Sequence, residues 1–176
     1  AASANGATSI AASDNATGVQ ASAIAAFTST STYNISDTSA NLGLDATTTA
    51  GLNGAGTISA TGSAVTAAIA TKLLSATNSG ATTIAAVTDT STAVKALSIP
   101  TGDAITTLTA SGTTTIADAV TINAIGAGTT AFTTVSGAGA DIISNITVSA
   151  KATNVTVTGT VTAAQGKTIN DADDGD

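Results

Sequence analysis

The 176-residue chain contains no glutamate, arginine, histidine, cysteine, methionine or tryptophan. Each absence removes a class of chemistry. Without His and Cys, zinc and the usual transition metals lose their preferred ligands. Without Cys there is no disulfide framework and no cysteine evidence about redox compartment. With no Arg and only Lys72, Lys95, Lys151 and Lys167 as cations, no basic patch exists to hold nucleic acid or an anionic membrane surface. Acid–base and nucleophilic work is left to Asp, Lys, Ser, Thr and the single Tyr33. No Ser–Lys spacing or nucleophile elbow accompanies them, so the sequence predicts no enzyme. No apolar run approaches the roughly 18 residues of a membrane span, so no membrane insertion is expected. No stretch carries the basic–apolar–cleavage pattern of a signal peptide. Aromatics are confined to Phe27, Tyr33 and Phe132, so any core is built from Ala, Val, Ile and Leu. What charge there is comes mainly from eleven aspartates, giving a net charge of −7. That oxygen-rich, acidic composition requires no cofactor but offers ligands to a hard cation such as calcium.

The stretch Thr83–Leu97 shows how the rest is organised. A short apolar run reaches a hydroxyl–acid turn at Thr88-Asp89, and Ala93, Val94 and Leu97 follow at helical spacing. The same phrase recurs. A Ser or Thr followed by Asp or Gly closes an apolar run at Asp14, Asp37, Gly62, Asp89, Gly112, Gly137 and Gly159, with spacings of 23, 25, 27, 23, 25 and 22. Seven repeats of about 24 residues lie in the range of solenoid proteins. Alternate repeats are the more alike: Thr30 to Leu42 resembles Ser79 to Val94, and Ala152 to Ile169 resembles Ala104 to Ile122, which points to duplication of a two-repeat unit.

Two positions before each Asp or Gly stand Ala12, Ile35, Ala60, Val87, Ala110, Val135 and Val157. Four positions before stand Ile10, Tyr33, Ile58, Ala85, Leu108, Thr133 and Val155. Alternation with period two turns these columns inward and the intervening residues outward. Ile84 and Phe132 come one place early, where a bulge or shifted strand start is expected. After each turn the period becomes helical, as in Ala64, Val65, Ala68, Ile69, Leu73 and in Ile116, Ala119, Val120, Ala124. A Ser, Thr or Asp at the turn serves as helix N-cap, and Gly there supplies a left-handed backbone. Pro100 stops the helix after Asp89. The expected fold is an α/β solenoid of about seven coils, 1–176 as one array, with a parallel sheet on one flank and short helices on the other. An all-strand solenoid (β-helix) is the alternative, since Thr, Val and Ile also favour strand. Residues 170–176 read as an acidic tail or linker.

Three sets of residues are candidates for function. Asp14 and Asp37 hold equivalent turns of adjacent repeats, which in-register stacking would bring together as a calcium pair, or leave as two helix caps. Asp171, Asp173, Asp174 and Asp176 crowd the end of the sequence without the EF-hand spacing. An outward hydroxyl column runs through Ser13, Ser36, Thr61, Thr88, Ser111, Ser136 and Thr158, with Thr109, Thr134 and Thr156 beside it, an arrangement resembling ice-binding surfaces. For self-association, Ile10 and Tyr33 at one end of the array would meet Val155 and Val157 at the other.

The phrases YNISDTSANL, ATNSGATTIAAVTDTS and VTVTGTVTAAQGKTI resemble repeats of very large exported bacterial surface proteins of cyanobacterial type, adhesin-like, S-layer-like or haemolysin-type. The resemblance implies an extracellular, cell-surface location and a structural or adhesive role. The glycine-rich nonapeptide that binds calcium in such proteins is absent, so calcium does not follow from the resemblance. The expected function is a structural module of a fibre, sheath, S-layer or adhesin stalk, whose partner is itself or neighbouring repeats. The alternative is a calcium-dependent adhesive module or an ice-binder.

Overall fold

A threonine marks nearly every passage from strand to helix in the computed structural model, which describes residues 9–27, 30–43 and 49–173. Thr17, Thr66, Thr90 and Thr115 are N-caps whose Oγ1 accepts the amide three residues on, from Gln20, Ile69, Ala93 and Asp118. Thr38 accepts likewise from Asn41, and Thr162 from Gln165. These caps lie one to four residues beyond the expected turn residue. The turn aspartates serve the cap residue itself, since Asp37 and Asp89 accept the amides of Thr38 and Thr90. In the repeats starting at Thr17 and Thr162, where Gln stands three residues on, Gln20 and Gln165 accept that amide instead, in a capping box. Ala138 precedes the one such helix that has no side-chain cap among those with a described N-cap beside a strand end.

The chain divides into two compact units, one holding the residues up to Ala86 with Pro100–Ala104, the other Val87–Ile99 with Ile105 onward. In the first, β1 (Ser9–Ala11), α1 (Gly18–Ala25), β2 (Thr30–Thr32), β3 (Ile35–Thr38), α2 (Ser39–Gly43), α3 (Thr49–Asn53), β4 (Ile58–Thr61) and α4 (Ala67–Leu74) lead to β5 (Thr82–Thr90), within which the division falls. The second continues with α5 (Ser91–Lys95), β6 (Ala104–Thr115), α6 (Ile116–Asn123), β7 (Thr129–Ala138), α7 (Gly139–Ser144), α8 (Ile146–Ser149), β8 (Ala152–Thr158) and α9 (Ala163–Asp173). β1 and β2 pair by themselves, and β3 to β8 form a six-stranded sheet in chain order. The described pairings are parallel. Helices occupy the connections, so the fold is α/β rather than all-strand.

Strand pairing joins one repeat to the next. Ser9 lies opposite Thr30, Ile35 opposite Ile58, Ile58 opposite Thr82, Thr107 opposite Thr129 and Phe132 opposite Ala152. The turn residues themselves do not face each other: Asp37 lies opposite Ala60 and Gly137 opposite Val157. The reason is backbone shape. Gly62 and Gly159 adopt positive φ just after the last residue of β4 and β8, so the turn varies in length without disturbing the ladder. Gly112 does the same inside β6, where the pairing with β7 shifts by one residue between Ala110 and Thr113. Gly128 answers a different need: a Cβ there would stand 2.9 Å from the Thr106 carbonyl oxygen, one repeat away.

The inward columns are buried where expected, at Ile35, Ile58, Ala60, Val87, Leu108, Ala110 and Val135. Ile84 and Phe132 are also buried, and the apolar side chains then skip to Val87 and Val135, with Ala85 half-buried and Thr133 exposed. Each fully buried Leu, Ile or Phe contributes roughly 1.5–3 kcal/mol. On the helical faces Leu73, Val94, Leu97, Ile116 and Ala119 are buried as expected, while α4 and α6 differ in part. α4 begins at Ala67, not Ala64, and buries Ala67, Ala70, Leu73 and Leu74, because Thr66 sets its start. α6 buries Ile122 and leaves Val120 exposed.

One buried group is out of place. Thr114 on β6 is 0 % exposed, lies opposite Val135, and its Oγ1 has no hydrogen-bond partner among the described residues. A buried hydroxyl left unpaired costs about 1–3 kcal/mol. Thr114→Val keeps the β-branched shape, and chemical denaturation should show it about 1 kcal/mol more stable than the parent; a destabilised variant would contradict this assignment. The caps give a paired test. Thr115→Ala should lose about 1 kcal/mol, and Ala138→Thr, at an exposed position with extended backbone, should gain a comparable amount. Both are read from denaturation midpoints.

Candidate functional site

Side chains reinforce the backbone ladder across the same one-repeat interval. Asn34 Oδ1 accepts the Thr57 amide at 2.9 Å and Asn53 Oδ1 the Thr77 amide at 3.0 Å. Asp103 Oδ1 accepts the Thr82 amide at 2.7 Å, and Asn154 Nδ2 donates to the Thr133 carbonyl at 3.4 Å. Thr61 Oγ1 donates to the Asp37 carbonyl and Ser39 Oγ to the Thr61 carbonyl, both at 3.1 Å. On the helical side Lys95 bridges to Asp118 at 2.6 Å, and Lys151 Nζ donates to Asn123 Oδ1 at 2.6 Å. These small polar side chains act as rungs. Sequence reasoning missed them, although Asn34, Asn53 and Asn78 stand within a few residues before β3, β4 and β5.

Among the described residues, the candidate metal ligands do not converge. Asp14 is exposed in the loop between β1 and α1. The pairing moves from Ala11 opposite Thr32 to Ala16 opposite Ile35, so Asp14 falls in the irregular stretch between and does not face Asp37. What Asp37 meets is the start of α1: its Oδ2 accepts the Gly18 amide at 3.1 Å. Its Oδ1 accepts from the Thr38 amide and Asn41 Nδ2. Asp37 is therefore a bracket between two repeats, with both oxygens occupied by protein donors. Asp171 accepts both its bonds from Lys167, one helical turn away in α9. Asp173 ends α9, so residues 170–173 lie within that helix. Asp174 and Asp176 lie outside the described residues. Among the described residues, no group of three or more potential metal ligands gathers.

Asp14 does line an open cleft of about 320 Å³ with Ser13, Asn15, Ser31, Asn34 and Ser79. It offers one carboxylate among neutral oxygens and amides, fewer charges than a tight calcium site uses. The outward hydroxyls pair differently from expectation. Ser36, Ser59 and Thr83 form one row, Thr113, Thr134 and Asn154 a second, and Thr115, Ser136 and Thr156 a third, whereas Thr109 faces Ala131. The same displacement of the turns from the ladder causes this.

Of the residues expected at the ends, Tyr33 is not available. It is 4 % exposed, its hydroxyl donates to the Gly51 carbonyl at 2.7 Å, and burial pushes its phenol pKa up. Its ring fills space left by Gly54, where a Cβ would stand 2.6 Å from the Tyr33 oxygen. Ile10 pairs through β1 with Ser31. Val155 and Val157 lie half-buried on β8, whose one neighbour among the described strands is β7. No helix among the described residues is long and apolar enough to cross a membrane. No family model, curated protein sequence or solved structure matches the chain.

Partial burial acts to raise the Asp37 carboxyl, but the bonds from Asn41, Gly18 and Thr38 outweigh it and hold the pKa below the ordinary Asp value. The hydrogen bond and charge of Lys95 do the same for Asp118. Such carboxyls bind a proton less readily folded than unfolded, so their contribution is complete at neutral pH and lost as pH falls through about 4 and below. Asp37→Asn should melt lower than the parent at about pH 7, and the gap should narrow on acidification below about pH 4. A gap that stays constant would contradict the bracket role.

Proposed function

We propose that this chain is a structural module of an extracellular surface assembly: a solenoid of about seven coils that stacks end to end with copies of itself. The observation that carries the reading is the joining of each repeat to its neighbour by parallel strand pairing, in chain order, with polar side chains repeating the same link. A stack joined this way resists separation along its length through backbone hydrogen bonds rather than a large core. Further support comes from a composition poor in charge and rich in hydroxyls, and from the resemblance of its phrases to exported surface proteins. The module works mechanically, without a catalytic step or a required cofactor.

Light scattering and electron microscopy of purified protein, with calcium and then with chelator, test the proposal. Association that grows with concentration and persists in chelator is the expected result. Association that vanishes with chelator would favour the calcium-dependent adhesive alternative. A monomer under both conditions would contradict the self-stacking module.

A further inference from the structure

The two edges of the six-stranded sheet differ. Beside β3, Ala16 bridges to Ile35, exchanging bonds with Asn34 and Ser36, so that edge is partly covered. β8 has no such cover among the described residues. It is seven residues long, Ala-Thr-Asn-Val-Thr-Val-Thr, without charge or proline, and none of the usual edge protections interrupts it. Its inward Val155 and Val157 remain half-buried, whereas Val135 in the preceding strand is 0 % exposed. Val161, just beyond, is 37 % exposed.

Resting on the self-stacking reading above, we infer that β8 pairs antiparallel with β8 of a second copy across a two-fold axis at Thr156. The choice of occupant follows from three features. A parallel partner at the other edge of the sheet would be β3, which Ala16 already partly covers, whereas with the axis at Thr156 residues 154–158 of the two β8 strands face each other, five against five. The strand is uncharged, so two copies meet there without the repulsion that a chain of net charge −7 creates elsewhere. With the axis at Thr156, Val155 of one copy lies opposite Val157 of the other and the reverse, so each half-buried valine gains an apolar partner on the same face. Outward, Asn154 lies opposite Thr158.

The absence of cysteine makes the test direct. Residues opposite each other in an antiparallel pair have Cα atoms about 4.5–5.5 Å apart, within the roughly 4.4–6.8 Å of a disulfide. Thr156→Cys should therefore oxidise to a covalent dimer. Thr153→Cys, whose copies would be roughly 20 Å apart, should not. Thr156→Lys, at an exposed position, should weaken association about tenfold or more with an unchanged circular dichroism spectrum, because two like charges then meet at the axis. Association that persists while Thr156→Cys stays uncrosslinked, with an Ile10→Cys and Val155→Cys pair crosslinking instead, would overturn the two-fold geometry and leave the self-stacking reading standing. A monomer at every concentration would overturn both.

Discussion

The hydrogen bond from one repeat to the next is the constraint on which the structure depends. The Ile35 amide donates to the Thr57 carbonyl, Ile58 to Ala81 and Phe132 to Lys151. With the chain tied at intervals of about 20–24 residues, the buried side chains are mostly Ala, Val, Ile and Leu, and Phe132 is the largest of the fully buried ones among the described residues. The same tie dictates where glycine is needed: at Gly128, because the neighbouring backbone approaches too closely for a Cβ.

Once backbone groups carry the link, polar side chains serve backbone too. Thr17, Thr38, Thr66, Thr90, Thr115 and Thr162 close helix starts, while Asn34, Asn53 and Asp103 accept the amides of Thr57, Thr77 and Thr82, at or before the starts of β4 and β5. A chain rich in Ser, Thr and Asn and poor in Lys and Arg is what this construction uses. The aspartates follow the same rule: Asp37, Asp89 and Asp103 accept amides, and Asp118 and Asp171 pair with lysines. Carboxylates so employed are structural brackets, which is consistent with the mechanical role proposed above.

Much of this was legible in the sequence, and the rest was hidden for identifiable reasons. Period-two alternation located the buried Ile35, Ile58, Ala60, Val87, Leu108, Ala110 and Val135, because successive side chains of a strand point to opposite faces and the apolar ones turn inward. The early positions of Ile84 and Phe132 marked where alternation breaks. Register was not legible, since Gly62 and Gly159 lie beyond the paired residues and their spacing records turn length, not pairing. That error carried into the Asp14–Asp37 pair and the hydroxyl columns. The capping threonines were hidden by abundance: with hydroxyls near every turn, only the helix start reveals which one caps. Tyr33 is buried as its place in the inward column predicts, but its hydrogen bond to the Gly51 carbonyl was hidden because that carbonyl belongs to a helix that the alternation does not announce.

The most direct test of the one-repeat link is measurement of scalar couplings across hydrogen bonds by solution NMR. The couplings should connect the Ile35 amide to the Thr57 carbonyl, Ile58 to Ala81 and Phe132 to Lys151. Couplings from these amides to carbonyls only a few residues away, or to none, would contradict the link and the account built on it.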